Sequence, residues 1–197
     1  MANSYLESVN KEFHYYKHLA DRAMEHLSEE QLNWQYNSQS NSISTIVRHM
    51  SGNMLSRFTN FLTEDGEKPW RNRDEEFSSV SQSRDVLKNS WDKGWSCVFN
   101  AIESLHADDL EKVVFIRNEG HTVTEAVNRQ LAHYSYHAGQ IVYIAKMLNE
   151  QWESLTIPRN ASVEYNAAKF AKEKTRSHFT NDMLTGSKPE NEQNHLN

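Results

Sequence analysis

The chain has 197 residues, enough for one domain with a substantial core. Its net charge of −6 gives no reason to expect nucleic-acid binding, which shows as a basic stripe, and its single cysteine excludes an internal disulfide. Hydrophobic residues make up 37 %, with only six Gly and three Pro, a composition that disfavours a loop-rich all-β fold and suits long helices.

No apolar run approaches the ~20 residues of a membrane span. The opening Met-Ala-Asn-Ser-Tyr has no basic start followed by an apolar stretch, so no signal peptide is expected and the chain reads as cytoplasmic. Residues 3–27 then place Leu6, Val9, Phe13, Tyr16, Ala20, Ala23 and Leu27 at spacings of three and four, the pattern of an amphipathic helix. His14 and His18 also lie here, roughly 130° and 170° from the centre of that stripe, on the face expected to meet solvent.

Residues 28–41 end in a polar cluster that reads as loop, with Trp34 and Tyr36 as anchors. Ser42 can cap a second helix over 43–62, whose stripe is Ile43, Ile46, Val47, Met50, Met54, Phe58 and Phe61. His49 falls at the edge of the stripe beside Asn53, Ser56 and Asn60, a boundary position compatible with a cleft. Gly66 and Pro69 stop this helix, and residues 63–80 form a polar connection of unusual length for a helix pair. Trp70, Arg71 and Arg73 sit in it; Arg groups on a loop are natural anion holders, and a solvated loop with one anchoring Trp is the simpler reading.

A third helix is expected over 83–105, with Val86, Leu87, Trp91, Trp95, Val98, Ile102 and Leu105 on its apolar side and Cys97 as a buried, inert thiol. Val113–Ile116 is short, β-branched and extended, and Asn118-Glu-Gly120 reads as a turn. Thr122-Val-Thr-Glu125 is a capping box opening a fourth helix to 148. Ala126, Val127, Tyr134, Ala138, Ile141, Ile144, Ala145 and Leu148 make its stripe, with His137 inside and His133 at the edge. Gly139 in a helix interior suggests a close helix approach or a nearby ligand. Residues 161–174 suit a short amphipathic helix using Val163, Ala167 and Phe170. From 175 the composition suggests disorder, which leaves His178 and His195 without a role. The expected fold is all-α: a four-helix bundle over residues 1–160 with a long crossover between its second and third helices, followed by a polar extension over 161–197.

His133 and His137 are one helical turn apart, so their rings lie roughly 40° apart on one face and can reach one metal ion. The pair supplies two ligands; His49, at the inner edge of its helix, is the candidate third, although a chain with ten histidines offers other third partners. Three neutral imidazoles with open positions describe a catalytic rather than a structural zinc site, and nickel, manganese or iron also suit imidazole. The plain alternative is three satisfied core histidines.

The segments Ile46-Val-Arg-His49-Met-Ser-Gly-Asn-Met-Leu-Ser56 and Leu131-Ala-His133-Tyr-Ser-Tyr-His137-Ala-Gly-Gln-Ile141 resemble the DinB family of metal-binding four-helix proteins. Gly52-Asn-Met-Leu-Ser-Arg57 and Lys68-Pro-Trp-Arg-Asn-Arg-Asp74 resemble a bacterial branch of that family, and the similarity spans roughly residues 5–165. The resemblance implies that His49, His133 and His137 bind a divalent metal, most often zinc or nickel, in a protein that is frequently a homodimer. It further implies thiol S-transferase or isomerase chemistry with a low-molecular-weight thiol, or metal-dependent hydrolysis.

Water activation usually wants a carboxylate base nearby, but the residues one turn from these histidines are Thr45, Asn53, Arg129 and, three residues on, Gln140. The expectation is therefore transfer of a small thiol to a small electrophilic substrate. The alternatives are a metal-dependent hydrolase or a non-catalytic, stress-associated metal-binding bundle. Asn53, Arg129 and Gln140 are the candidates for supporting the ligands or touching substrate.

Overall fold

The computed structural model describes residues 4–78 and 80–184. Four long helices carry the apolar stripes: α1 (Ser4–Glu25), α3 (Ile43–Phe58), α5 (Arg84–Glu103) and α6 (Val123–Leu148), joined through the short α2 (Glu29–Asn33) and α4 (Arg73–Glu76) and a β1 (Val113–Ile116)–β2 (Glu119–Thr122) hairpin. The result is an all-α bundle in which α1 packs on α6 and α3 on α5. Each long helix sends one aromatic ring to a common centre: Phe13, Phe58, Trp95 and Tyr134. Phe13 lies 6.4 Å from Phe58, 6.1 Å from Trp95 and 5.9 Å from Tyr134. These rings, with Met50, Met54, Val98 and Ile141, are almost wholly removed from water, and their burial is the main force closing the bundle.

Chain signals explain most boundaries. Ser42, Ser83 and Thr122 each cap the helix that follows, and Thr122 with Glu125 completes the expected capping box. Three expectations are corrected. The 28–41 loop begins with a helix, because Ser28 and Gln31 also form a capping box and Leu32 has a core site to fill. The second long helix ends at Phe58, four residues early, with Asn60 in the left-handed region at φ 49. Gly139 is exposed, and a Cβ there would meet nothing within 4 Å. The close approach is instead at Gly94, where a Cβ would lie 3.1 Å from Ser51 Cα and 3.0 Å from Met54 Sδ, holding α5 tight against α3.

The long crossover is pinned to the hairpin. Val113–Ile116 pairs antiparallel with Glu119–Thr122 through a two-residue turn in which Arg117 and Asn118 both take positive φ, at 58° and 62°. Neither is glycine, so the turn is strained; Asp65 from the crossover offsets this by accepting the Arg117 and Asn118 N–H groups at 2.9 and 2.8 Å. Ser56 Oγ donates to Gly66 O at 2.6 Å and accepts from Lys68 N, and buried Arg57 pairs with Glu67. The polar crossover is thereby a fixed strap across the end of α3.

Contacts divide the chain into a larger unit ending at Glu150 and a smaller one beginning at Gln151. The smaller unit contains α7 (Ser162–Phe170), where a short helix was expected, and α8 (Asn181–Leu184). In α7 no residue is buried; Val163 and Phe170 are exposed. The disorder expected from residue 175 is not what the structure has at Thr180, which is buried, or at 181–184, which form α8; from residue 185 that expectation lies outside the described residues. No helix among the described residues is long and apolar enough to cross a membrane.

Candidate metal centre

α3 and α6 bring His49, His133 and His137 together. His133 Nε2 lies 3.3 Å from His49 Nε2 and 3.1 Å from His137 Nε2, and one ligand atom from each falls within 4.8 Å of the others. His49 and His137 are buried; His133 is partly exposed.

The outer nitrogens of two rings are committed. His49 Nδ1 donates to Glu76 Oε2 at 2.9 Å, and His137 Nδ1 donates to Gln140 Oε1 at 2.7 Å. A proton on Nδ1 leaves Nε2 a bare lone pair, so both rings aim an acceptor at His133. Lone pairs converging at hydrogen-bond distance need a cation or a proton between them. A borderline metal ion suits a buried cluster of three neutral nitrogens, and the residues present fit one.

Electrostatics keep the His133 and His137 imidazoles in their neutral form. His133 is pushed down to about 3 by its burial, then by His137 and His49 and by the Arg57 and Arg71 guanidinium groups. Burial also lowers His137. Neutral imidazole is the ligating form, so protons compete weakly for the site.

Behind His49 stands a second layer supplied by the crossover. Arg71 grips Glu76 with Nε on Oε1 at 2.8 Å and Nη2 on Oε2 at 2.9 Å, and both side chains are nearly inaccessible. Burial alone would raise the Glu76 carboxyl, but its bonds to His49 and Arg71 outweigh this and hold it below the usual range. Gly52 makes the space: a Cβ there would stand 2.2 Å from Glu76 Oε1. Phe77 packs against the His49 ring at 4.8 Å, and the Arg73 guanidinium lies over Phe77 at 4.9 Å.

The three supporting candidates fare differently. Gln140 fixes the His137 ring and is itself bound to Tyr136, donating to its hydroxyl at 2.9 Å. Asn53 is buried and accepts from Tyr134 OH at 3.0 Å. Arg129 is exposed beside His121, 3.4 Å away, and is not joined to the cluster by any contact among the described residues. Glu76 was missed, and Arg71 appeared only as a loop cation; the anion it holds is the chain's own. His14 is exposed and stacks on Phe99 at 3.9 Å.

Fold and site together define an all-α bundle with a largely buried three-histidine group able to hold a metal ion. A family model described as protein of unknown function (DUF1572) matches residues 1–161. The chain belongs to that family. No curated protein matches the chain.

Proposed function

We propose that the protein is a metal-dependent enzyme that transfers a low-molecular-weight thiol to a small electrophile, with His49, His133 and His137 as the metal ligands. The observation that carries this reading is the convergence of three Nε2 atoms with no carboxylate among them. A divalent metal held there supplies Lewis acidity, which favours a bound thiol in its thiolate form. The similarity of residues 46–56 and 131–141 to the DinB family supports both the metal and the thiol chemistry.

The chain's own groups favour an anionic partner. Three neutral donors leave the charge of a divalent ion uncompensated, and the nearest buried carboxylate, Glu76, is already neutralised by Arg71. Both Glu76 oxygens are bonded, and it faces the outer nitrogen of His49. It therefore orients a ligand and does not take a proton from water at the inner nitrogens, which counts against hydrolysis. Gln140 holds the His137 ring in the same way, and Phe77 shields one side of His49.

The test is elemental mass spectrometry on untagged wild type and His133→Ala/His137→Ala, followed by thiol-consumption assays with a panel of electrophiles. The expected result is about one equivalent of transition metal in wild type, lost in the double variant, with thiol consumed only by the loaded wild type. Metal-loaded protein that neither binds nor consumes thiol would overturn the transferase reading; absence of metal after reconstitution with zinc, nickel and manganese would overturn the site.

A further inference from the structure

Of the three histidines only His133 is partly exposed, so a molecule reaching the cluster from solvent arrives over His133. The other two are each screened by an aromatic ring. Phe77, from the crossover, packs on His49 at 4.8 Å, and Tyr136, from α6, packs on His137 at 4.9 Å with the ring planes at 67°. The His49 and His137 rings are themselves only 5.1 Å apart. Both aromatics therefore border the same small opening, one from the crossover and one from α6.

Tyr136 combines exposure with order. It is 62 % exposed, yet its hydroxyl accepts from Gln140 Nε2 at 2.9 Å, and Gln140 Oε1 takes the His137 Nδ1 hydrogen at 2.7 Å. The ring is thus held in place by the ligand's own partner before any molecule arrives, which removes the ordering cost of binding to it. It lies about 60° around α6 from His133, on the side away from His137. Ala132 and Gly139, one turn before and after it, are small and exposed, and a Cβ at Gly139 would meet nothing within 4 Å, so the flanks of the ring are open. Phe77 is half-buried and also held, with the Arg73 guanidinium over it at 4.9 Å.

We propose that this opening receives a flat aromatic group, stacked on Tyr136 and bordered by Phe77, and that the substrate of the proposed reaction carries such a ring beside its reacting group. The inference rests on the metal reading of the three histidines and adds to it the class of molecule admitted. Aromatic rings favour offset-stacked and edge-to-face partners, and an exposed, fixed ring gains most from a flat partner that covers it. A saturated ring of similar size makes fewer close contacts with a flat face.

Three hydroxamates test it, because they bind transition metals through one common head and differ only in the body: acetohydroxamate, cyclohexanecarbohydroxamate and benzohydroxamate. Each is titrated calorimetrically into the full chain at saturating zinc, so no turnover is needed. Benzohydroxamate is expected to bind at least about ten-fold tighter than acetohydroxamate, and tighter than the saturated ring. Tyr136→Ala removes most of that advantage and Tyr136→Phe, which keeps the ring, retains it, while acetohydroxamate binds alike to wild type and both variants. Equal binding of benzohydroxamate and acetohydroxamate to wild type, or benzohydroxamate binding indifferent to Tyr136→Ala, overturns the aromatic site and leaves the metal centre standing. Failure of acetohydroxamate itself to bind overturns the metal reading, and the aromatic site with it.

Discussion

Glu76 accepts the Nδ1 hydrogen of His49 at 2.9 Å, across 27 residues of chain, and it does so over a glycine. The contact makes the crossover part of the metal centre. Arg71 fixes the carboxylate, the carboxylate fixes the imidazole, and the imidazole presents its free lone pair inward. Partners of this kind set ring orientation and ligand basicity.

Replacing Glu76 with Gln keeps the shape and removes the charge. The expected outcome is a metal affinity lower by roughly 10–100-fold, measured by competition with a chromophoric chelator, with helix content unchanged. Glu76→Ala loses at least as much, because the buried Arg71 then keeps only its longer 3.9 Å contact with Glu67 and its charge is poorly compensated beside the site. Affinity equal to wild type in both variants would show that His49 is held by packing on Phe77 alone.

Gly52→Ala reaches the same endpoint from the other side of the contact. The added Cβ would stand 2.2 Å from Glu76 Oε1 and 2.9 Å from Cδ, and Arg71 prevents an easy retreat. Glu76 is displaced and metal affinity falls as it does in Glu76→Gln. In a Glu76→Ala background the clash is gone, so Gly52→Ala has no further effect on the metal and stabilises α3 by up to about 1 kcal/mol through helix propensity. A double-mutant cycle in chelator competition and thermal unfolding reads both effects. Additive losses of affinity would mean that Gly52 acts independently of Glu76.

The two halves of this centre differ in how far the sequence reveals them. His133 and His137 are one turn apart on a helix with a clear apolar stripe, and His49 lies on the edge of another, so periodicity alone orients all three. Glu76 and Arg71 lie where the chain has no period. Their placement depends on Asp65 holding the hairpin turn, on Ser56 and Arg57 anchoring Gly66, and on the space left by Gly52. These are long-range contacts between loop and helix, and no local pattern encodes them. Gly139 misled for the converse reason: a helical glycine marks close approach only when a neighbour lies opposite, and none does.

The buried histidines also contribute to the acid sensitivity of the metal-free fold. His133 titrates near 3 in the folded chain, held there first by burial, and about 6.5 when unfolded; His137 is shifted the same way. Between those values the unfolded chain binds more protons, so stability rises with pH. Their contribution is complete above about 6.5 and is lost as pH falls towards 3. Glu76, held low in the fold, acts in the same direction below the ordinary carboxylate range. Chemical denaturation of metal-free protein from pH 7 to pH 4 is therefore expected to show falling stability, with a shallower slope in His133→Ala. A slope unchanged by that substitution would show that His133 is not buried neutral.

Tyr134 separates scaffold from site. Its ring belongs to the four-helix aromatic centre, while its hydroxyl donates to Asn53 Oδ1 at 3.0 Å with both groups removed from water. Burial holds the phenol far above its ordinary range, so it stays protonated and remains a donor at any working pH. Tyr134→Phe keeps the ring packing and leaves the Asn53 oxygen without that donor, at an expected cost of about 1–3 kcal/mol in denaturant unfolding. Tyr134 adjoins His133 in sequence, yet its hydroxyl bonds Asn53 and not a ligand, so metal content is expected to stay at the wild-type level. Loss of metal in Tyr134→Phe, with the fold intact by circular dichroism, would instead assign Asn53 a part in holding the histidines and return it to the site.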